Sequence, residues 1–176
     1  MSNKNNVIDL EGAVAEPKCP KLLERVGEYL AEKDWTYTLF DEDEYLAFNL
    51  RLRDGSARVF VQAWEGVGWS RLVVYVTYPT FVPLPRRSAV CEAITRINQT
   101  NILGNFELDL NDGEVRVRTT LENDLYIGEP MIDRAIRKGL DLADQYQAAL
   151  LAIAFGNASA QVVLEMGARD ETGTVQ

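Results

Sequence analysis

Histidine is absent from this chain of 176 residues. That removes Ser-His-Asp and Cys-His catalysis, histidine metal ligation and histidine phosphotransfer together. Cysteine is nearly absent: Cys19 and Cys91 stand alone, too few for a four-ligand zinc site without several carboxylates. Far apart and with no secretory signal before them, they read as free thiols of a reducing compartment. Long apolar runs are lacking as well. The longest, Ala148 to Phe155, has eight residues, whereas a membrane-spanning helix needs about 20. Met1 to Asn6 is polar, without the apolar stretch of a signal peptide. The expectation is a cytoplasmic protein with no membrane partner.

Positive charge is also in short supply. Lys and Arg number 18 against 27 Asp and Glu, a net charge of −9. Phosphate contacts need clustered cations, so a nucleic-acid partner is not expected, and the adjacent pair Arg86-Arg87 is too small to reverse that. No P-loop and no nucleophile elbow occur. Gly66-Val67-Gly68 has no third glycine at dinucleotide-binding spacing, and it joins two antiparallel strands. Asp41-Glu42-Asp43-Glu44 has Leu46 where a calcium loop needs its glycine, so it reads as a solvated turn. No carboxylate pair is set apart by apolar surroundings as a general acid would be. The chain reads as non-enzymatic, with no cofactor and no metal.

What is present suits one α+β domain. Hydrophobic residues make up 47% and charged residues 26%, and a domain near this length buries roughly 70% of its extended-chain surface. Residues 1–18 show no period and are expected to form a mobile arm, with the domain over 19–166 and a mobile tail over 167–176. Pro20 suits a helix start. Leu22, Leu23, Val26, Tyr29 and Leu30 then follow at helical spacing, ending near Lys33. Thr36–Phe40 is a short strand. Tyr45–Leu52 alternates, with Leu46, Phe48, Leu50 and Leu52 on one face.

Asp54-Gly55 signals a two-residue hairpin, which pairs Leu52 with Ala57, Leu50 with Val59, Phe48 with Val61 and Leu46 with Ala63. Ser70–Tyr78 adds a strand with Leu72, Val74 and Val76 inward. Tyr78–Arg86, carrying Pro79, Pro83 and Pro85, is a connector. It serves as a stiff crossover or as a rigid recognition loop. Arg87–Asn98 is a helix burying Val90, Ile94 and Ile97, with Cys91 beside that stripe as a structural, partly buried thiol and Cys19 exposed.

Asp112-Gly113 signals a second hairpin, pairing Leu110 with Val115, Leu108 with Val117, Asp109 with Arg116 and Glu107 with Arg118. Glu129-Pro130 opens a long helix with Ile132, Ala135, Ile136, Leu140, Ala143, Tyr146, Leu150 and Ile153 on one face. Gly156-Asn157 stops it, and Ser159–Met166 forms a further short helix. The expected order is α-β-β-β-β-α-β-β-α: a twisted antiparallel sheet of about five to six strands, helices packed on its apolar face.

The same alternation places Arg51, Arg58, Phe60, Gln62, Trp64, Val73 and Tyr75 on the opposite face. Aromatics beside arginines have the composition of a binding hot spot. Arg51, Arg58, Phe60, Trp64 and Tyr75 are therefore the candidate partner-binding residues. In the predicted register Arg51 lies directly opposite Arg58, a like-charge pair that a ligand, a subunit or another element would relieve. The alternatives are a face covered by the chain's own arm, or arginines splayed into water.

An ordered series of turns and core positions resembles the bacterial YbjN family, described as sensory transduction regulators. It runs Tyr78-Pro79, Val82-Pro83, Ile97-Asn98, Leu103-Gly104-Asn105-Phe106-Glu107-Leu108-Asp109, Asp112-Gly113-Glu114-Val115 with Arg118, and Asp144-Gln145-Tyr146. Gly156 and the segment after it close the series. It covers residues 20–166 and contains no catalytic signature. The resemblance implies a fold similar to type III secretion chaperones, acidic proteins that usually dimerise and bind unfolded segments of other proteins. The expected function is a noncatalytic, homodimeric protein-binding module with a regulatory or chaperone-like role. The alternative is a small-molecule sensor with a pocket between sheet and helices.

Overall fold

The structure, a computed structural model, describes residues 21–40, 44–124 and 126–161. The expectations for residues 1–18, Cys19, Pro20, Asp41 to Asp43, the segment after Gln161 and the tail 167–176 lie outside the described residues. Helix α1 (Leu22–Glu32) is followed by β1 (Thr38–Phe40), β2 (Tyr45–Leu52), β3 (Gly55–Gly66) and β4 (Trp69–Phe81). A 3-10 turn, Leu84–Arg86, leads into α2 (Arg87–Thr100), then β5 (Asn105–Leu108), β6 (Glu114–Asn123) and α3 (Glu129–Phe155). The strands form one six-stranded sheet in the order β1-β2-β3-β4-β6-β5, every neighbouring pair antiparallel. This is the α+β architecture that the alternation and the hairpin signals imply.

Leu46, Phe48, Leu52, Val59, Val61, Leu72, Val74, Val76 and Val117 point to one side. There they meet Leu22, Val26 and Leu30 of α1, Val90, Ala93 and Ile97 of α2 and Ile132, Ile136 and Ile153 of α3 in a single core. β4 runs three residues beyond its expected end at Tyr78. Pro79 is tolerated because the β4–β6 register is interrupted between Thr77 and Phe81, where a missing N–H costs no ladder bond. Cys91 is exposed, which corrects its expected partial burial. One residue on from Val90 is a 100° step around the helix, enough to leave the buried stripe.

Both hairpin registers are displaced by two residues from those the turn signals imply. Leu52 faces Gly55, Leu50 faces Ala57, Phe48 faces Val59 and Leu46 faces Val61. The loop is Arg53-Asp54, and neither of these residues nor Gly55 takes a positive φ, so no primed turn forms. The cause is tertiary. The Arg53 backbone N–H donates to Asp144 Oδ1 of α3 at 2.6 Å, and the Arg53 guanidinium meets the same carboxylate at 3.3 Å. A side chain at Gly55 would collide with Gln147 of α3. In the second hairpin Leu108 faces Val115 and Glu107 faces Arg116, because the loop is longer. Asp109 N–H donates to Glu114 O at 2.9 Å and Gly113 N–H to Asp109 O at 2.8 Å. The displacement is even, so side chains within the paired strands keep their predicted faces; Leu110, expected inward opposite Val115, falls in the turn and is exposed.

The arginine pair of the connector is structural. Arg86 donates to the carbonyls of Ile153 (2.6 Å) and Ala158 (3.1 Å), satisfying the end of α3 where free carbonyls and the helix dipole favour a cation. Arg87 donates to Leu110 O and Asp112 O, both at 2.7 Å, and so binds α2 to the β5–β6 loop. The segment after Tyr78 therefore acts as a stiff crossover.

A candidate protein-binding face

All three helices pack against one side of the sheet; among the described residues no helix packs on the other side. Reading across β2, β3, β4 and β6, one row is Ala47–Phe60–Tyr75–Arg118 and the next is Asn49–Arg58–Thr77–Arg116. Arg58 stacks over the Phe60 ring at 4.9 Å, and Arg116 over Tyr75 at 4.9 Å. The Tyr45 ring lies 5.9 Å from Phe60 and stacks on Phe40 at 4.5 Å. A stripe of four aromatic rings, interleaved with guanidinium groups, thus crosses the face from β1 to β4. Each exposed cation–π contact is worth about 0.5–1 kcal/mol. The larger consequence is that the stacking fixes ring and guanidinium orientations before any partner arrives, which lowers the ordering cost of association.

The displaced register alters one expectation here. Arg51 faces Ser56 and Arg58 faces Asn49, so the two arginines are diagonal neighbours and not a direct pair. Neither has a carboxylate partner among the described residues. Arg116 and Arg118 differ: both reach Glu107, at 2.7 and 3.0 Å. The expected Asp109–Arg116 pairing across the ladder is not formed, since the register brings Glu107 opposite Arg116.

Arg58, Phe60 and Tyr75 are brought together, and Arg51 stands at the β2 end of the same face. Trp64 lies apart. It faces Arg71 near the β3–β4 turn, beyond the first β2–β3 pair at Gln62, and it also lines a groove beside α1. The candidate set did not include Phe40, Tyr45, Arg116 and Arg118, which share this face. Alternation along β2 carries the signal for Tyr45, and alternation extended into β1 and β6 carries it for Phe40, Arg116 and Arg118. Among the described residues, no helix is long and apolar enough to cross a membrane.

A six-stranded antiparallel sheet with three helices on one face and a patterned open face on the other defines a class of small α+β domains. Comparison with known proteins makes the assignment specific. The model of the YbjN family, described as "Putative bacterial sensory transduction regulator", matches residues 22–152; the chain belongs to the YbjN family. Among solved structures it is similar to "Crystal structure of YbjN, a putative transcription regulator from E. coli". That match covers 84% of this chain and 92% of the other, at 11% identity and a TM-score of 0.50. No curated protein matches the chain.

Proposed function

We propose that this chain is a noncatalytic protein-binding module of the cytoplasm, acting in regulation or as a chaperone, and that its sheet face is the docking surface. The observation that carries this reading is the stripe of Phe40, Tyr45, Phe60 and Tyr75, with Arg58 and Arg51 at its side unpaired with any carboxylate among the described residues. Aromatic rings and arginines are the residues that dominate interface energetics when a partner excludes water from them. In a chain of net charge −9, such a face favours a partner that brings carboxylates to meet Arg51 and Arg58. The family's description as a regulator supports the reading. The chaperone-like part of the reading rests on what the resemblance implies, a fold similar to type III secretion chaperones, and is an analogy only, because folds host many functions.

The homodimer has its own candidate surface in this reading: Leu84 and Leu110, exposed beside α2. The small-molecule-sensor alternative would use the groove between α1 and the end of the β3–β4 hairpin; elsewhere a single core packs between sheet and helices.

The test is capture of partners from the source bacterium's lysate with the wild type and with Phe60→Ala/Tyr75→Ala, folding checked by circular dichroism. The reading expects a specific protein bound by the wild type and lost from the double variant, with Trp64→Ala losing less. Equal capture by the wild type and the double variant would remove the face from the account.

A further inference from the structure

At the β1 end of the sheet lies a second surface, independent of the aromatic stripe. A groove of about 870 Å³ runs between α1 and the projecting end of the β3–β4 hairpin. Its apolar lining comes from Ala31, Tyr37, Leu39, Ala63, Trp64 and Trp69; Leu39 is 47% exposed and Trp69 38%. Gly27 makes part of this shape, because a side chain there would displace the Tyr37 hydroxyl, which packs against the helix at that point. Glycine inside a helix costs about 1 kcal/mol relative to alanine, so the close approach is maintained against local preference.

Two further observations say what would fill the groove. The first concerns backbone. β1 pairs only with β2 among the described residues, and β3 continues from Ala63 to Gly66 past the first β2 pair. Among the described residues, edge groups at this end have no ladder partner on one side. The opposite edge is treated differently: Asn98 of α2 gives and takes hydrogen bonds with the Phe106 backbone, at 2.9 and 2.8 Å, and so blunts β5. A free edge beside an apolar groove is suited to an extended segment, whose backbone pairs with the edge while alternate side chains enter the groove.

The second concerns charge. Glu28 and Glu44 line the groove without an ion-pair partner among the described residues. Lys21 is the one cation among the lining residues.

We infer that this groove binds an extended peptide segment of another protein, apolar at alternate positions and basic between them. The acids at the mouth meet the cations, and the rings and aliphatic side chains of the groove take the apolar residues. The surface is separate from the aromatic stripe, so a change at Arg58 serves as a control that leaves it intact.

The test is selection of a random decapeptide phage library on the full chain, followed by affinity measurement of the winning peptides. The inference expects winners with net positive charge and at least two large apolar residues. Their affinity falls by about tenfold or more on Ala31→Arg, and likewise on Glu28→Lys/Glu44→Lys, a loss of about 1.4 kcal/mol, and is unchanged on Arg58→Ala. Winners that are acidic, or that bind Ala31→Arg as well as wild type, would overturn it, as would no enrichment. Enrichment only on a full chain carrying Val7→Asp, Ile8→Asp and Leu10→Asp would assign the groove to the chain's own first residues. A dimer mass lost on Ala31→Arg would assign it to a second copy. Either result overturns the inference.

Discussion

Asn98 holds Phe106 by both of its backbone groups, and Phe106 in turn meets the Tyr146 ring edge-on at 5.7 Å. These residues belong to the short series by which the sequence resembles its family, and each has a physical task. Asp144 holds the β2–β3 turn. Tyr78, buried, donates its hydroxyl to the Ala143 carbonyl at 2.8 Å. Burial first, and the Asp144 carboxylate second, hold the Tyr78 phenol well above its ordinary value of 10.0.

The sign follows: a raised phenol stabilises the folded state relative to the unfolded one only while the unfolded chain also keeps its proton. Stability is therefore full below pH 10 and falls as pH rises beyond it. Urea midpoints at pH 8 and pH 10.5 will show a loss in the wild type. Tyr78→Phe will show a smaller loss, after an initial cost of about 1 kcal/mol at pH 8 for the missing hydrogen bond. An identical alkaline loss in both proteins would assign the effect to other groups, Tyr29 first, whose phenol is also raised. The series of residues was legible in the sequence. The tasks were not, because each depends on a contact between segments far apart in the chain.

Hairpins show the same division at the scale of elements. Alternation within each strand gave the inward face correctly, since period two is a local property. Turn position was misread, because Asp54-Gly55 and Asp112-Gly113 have the composition of two-residue loops while helix contacts decide the outcome. Asp144, which fixes the first turn, is 91 residues from Arg53.

Gly113 shows why its turn needs glycine without being a two-residue loop. Its φ is +91°, and a side chain there would press into the Val82 backbone, whose N–H donates to Gly113 O at 2.8 Å. Gly113→Ala is expected to cost about 2 kcal/mol or more, from left-handed strain plus the collision; a chemical-denaturation midpoint measures it. Asn98→Ala should expose the β5 edge, with a cost of about 1–3 kcal/mol for unpaired Phe106 groups and faster aggregation on light scattering. A stable variant that stays monodisperse would show that Asn98 does not guard the edge.

Across the whole molecule, the sheet separates two kinds of surface. Helices close one side over an apolar core; the other side carries the aromatic stripe. Glu65 ties the two ends of this design together at α1. It accepts the Leu22 N–H at 2.7 Å and pairs with Arg25 at 3.0 Å, an arginine only 8% exposed. Leaving so buried an arginine without its carboxylate is costly, and Glu65→Ala is expected to lower stability by about 2 kcal/mol or more, read as a shift in melting temperature. The central rows of the stripe, Arg58, Phe60 and Tyr75, were legible from alternation alone. The groove beside α1 was not, since it is made by the placement of a helix against a hairpin tip, which no local pattern encodes.

The most direct test of the docking face is hydroxyl-radical footprinting of the full chain, free and with its captured partner. Binding through this face predicts that Tyr45, Phe60 and Tyr75 lose reactivity on addition of the partner, while Leu84 and Leu110 keep theirs. Unchanged reactivity at all three rings in a saturated complex would contradict the account and place the partner elsewhere.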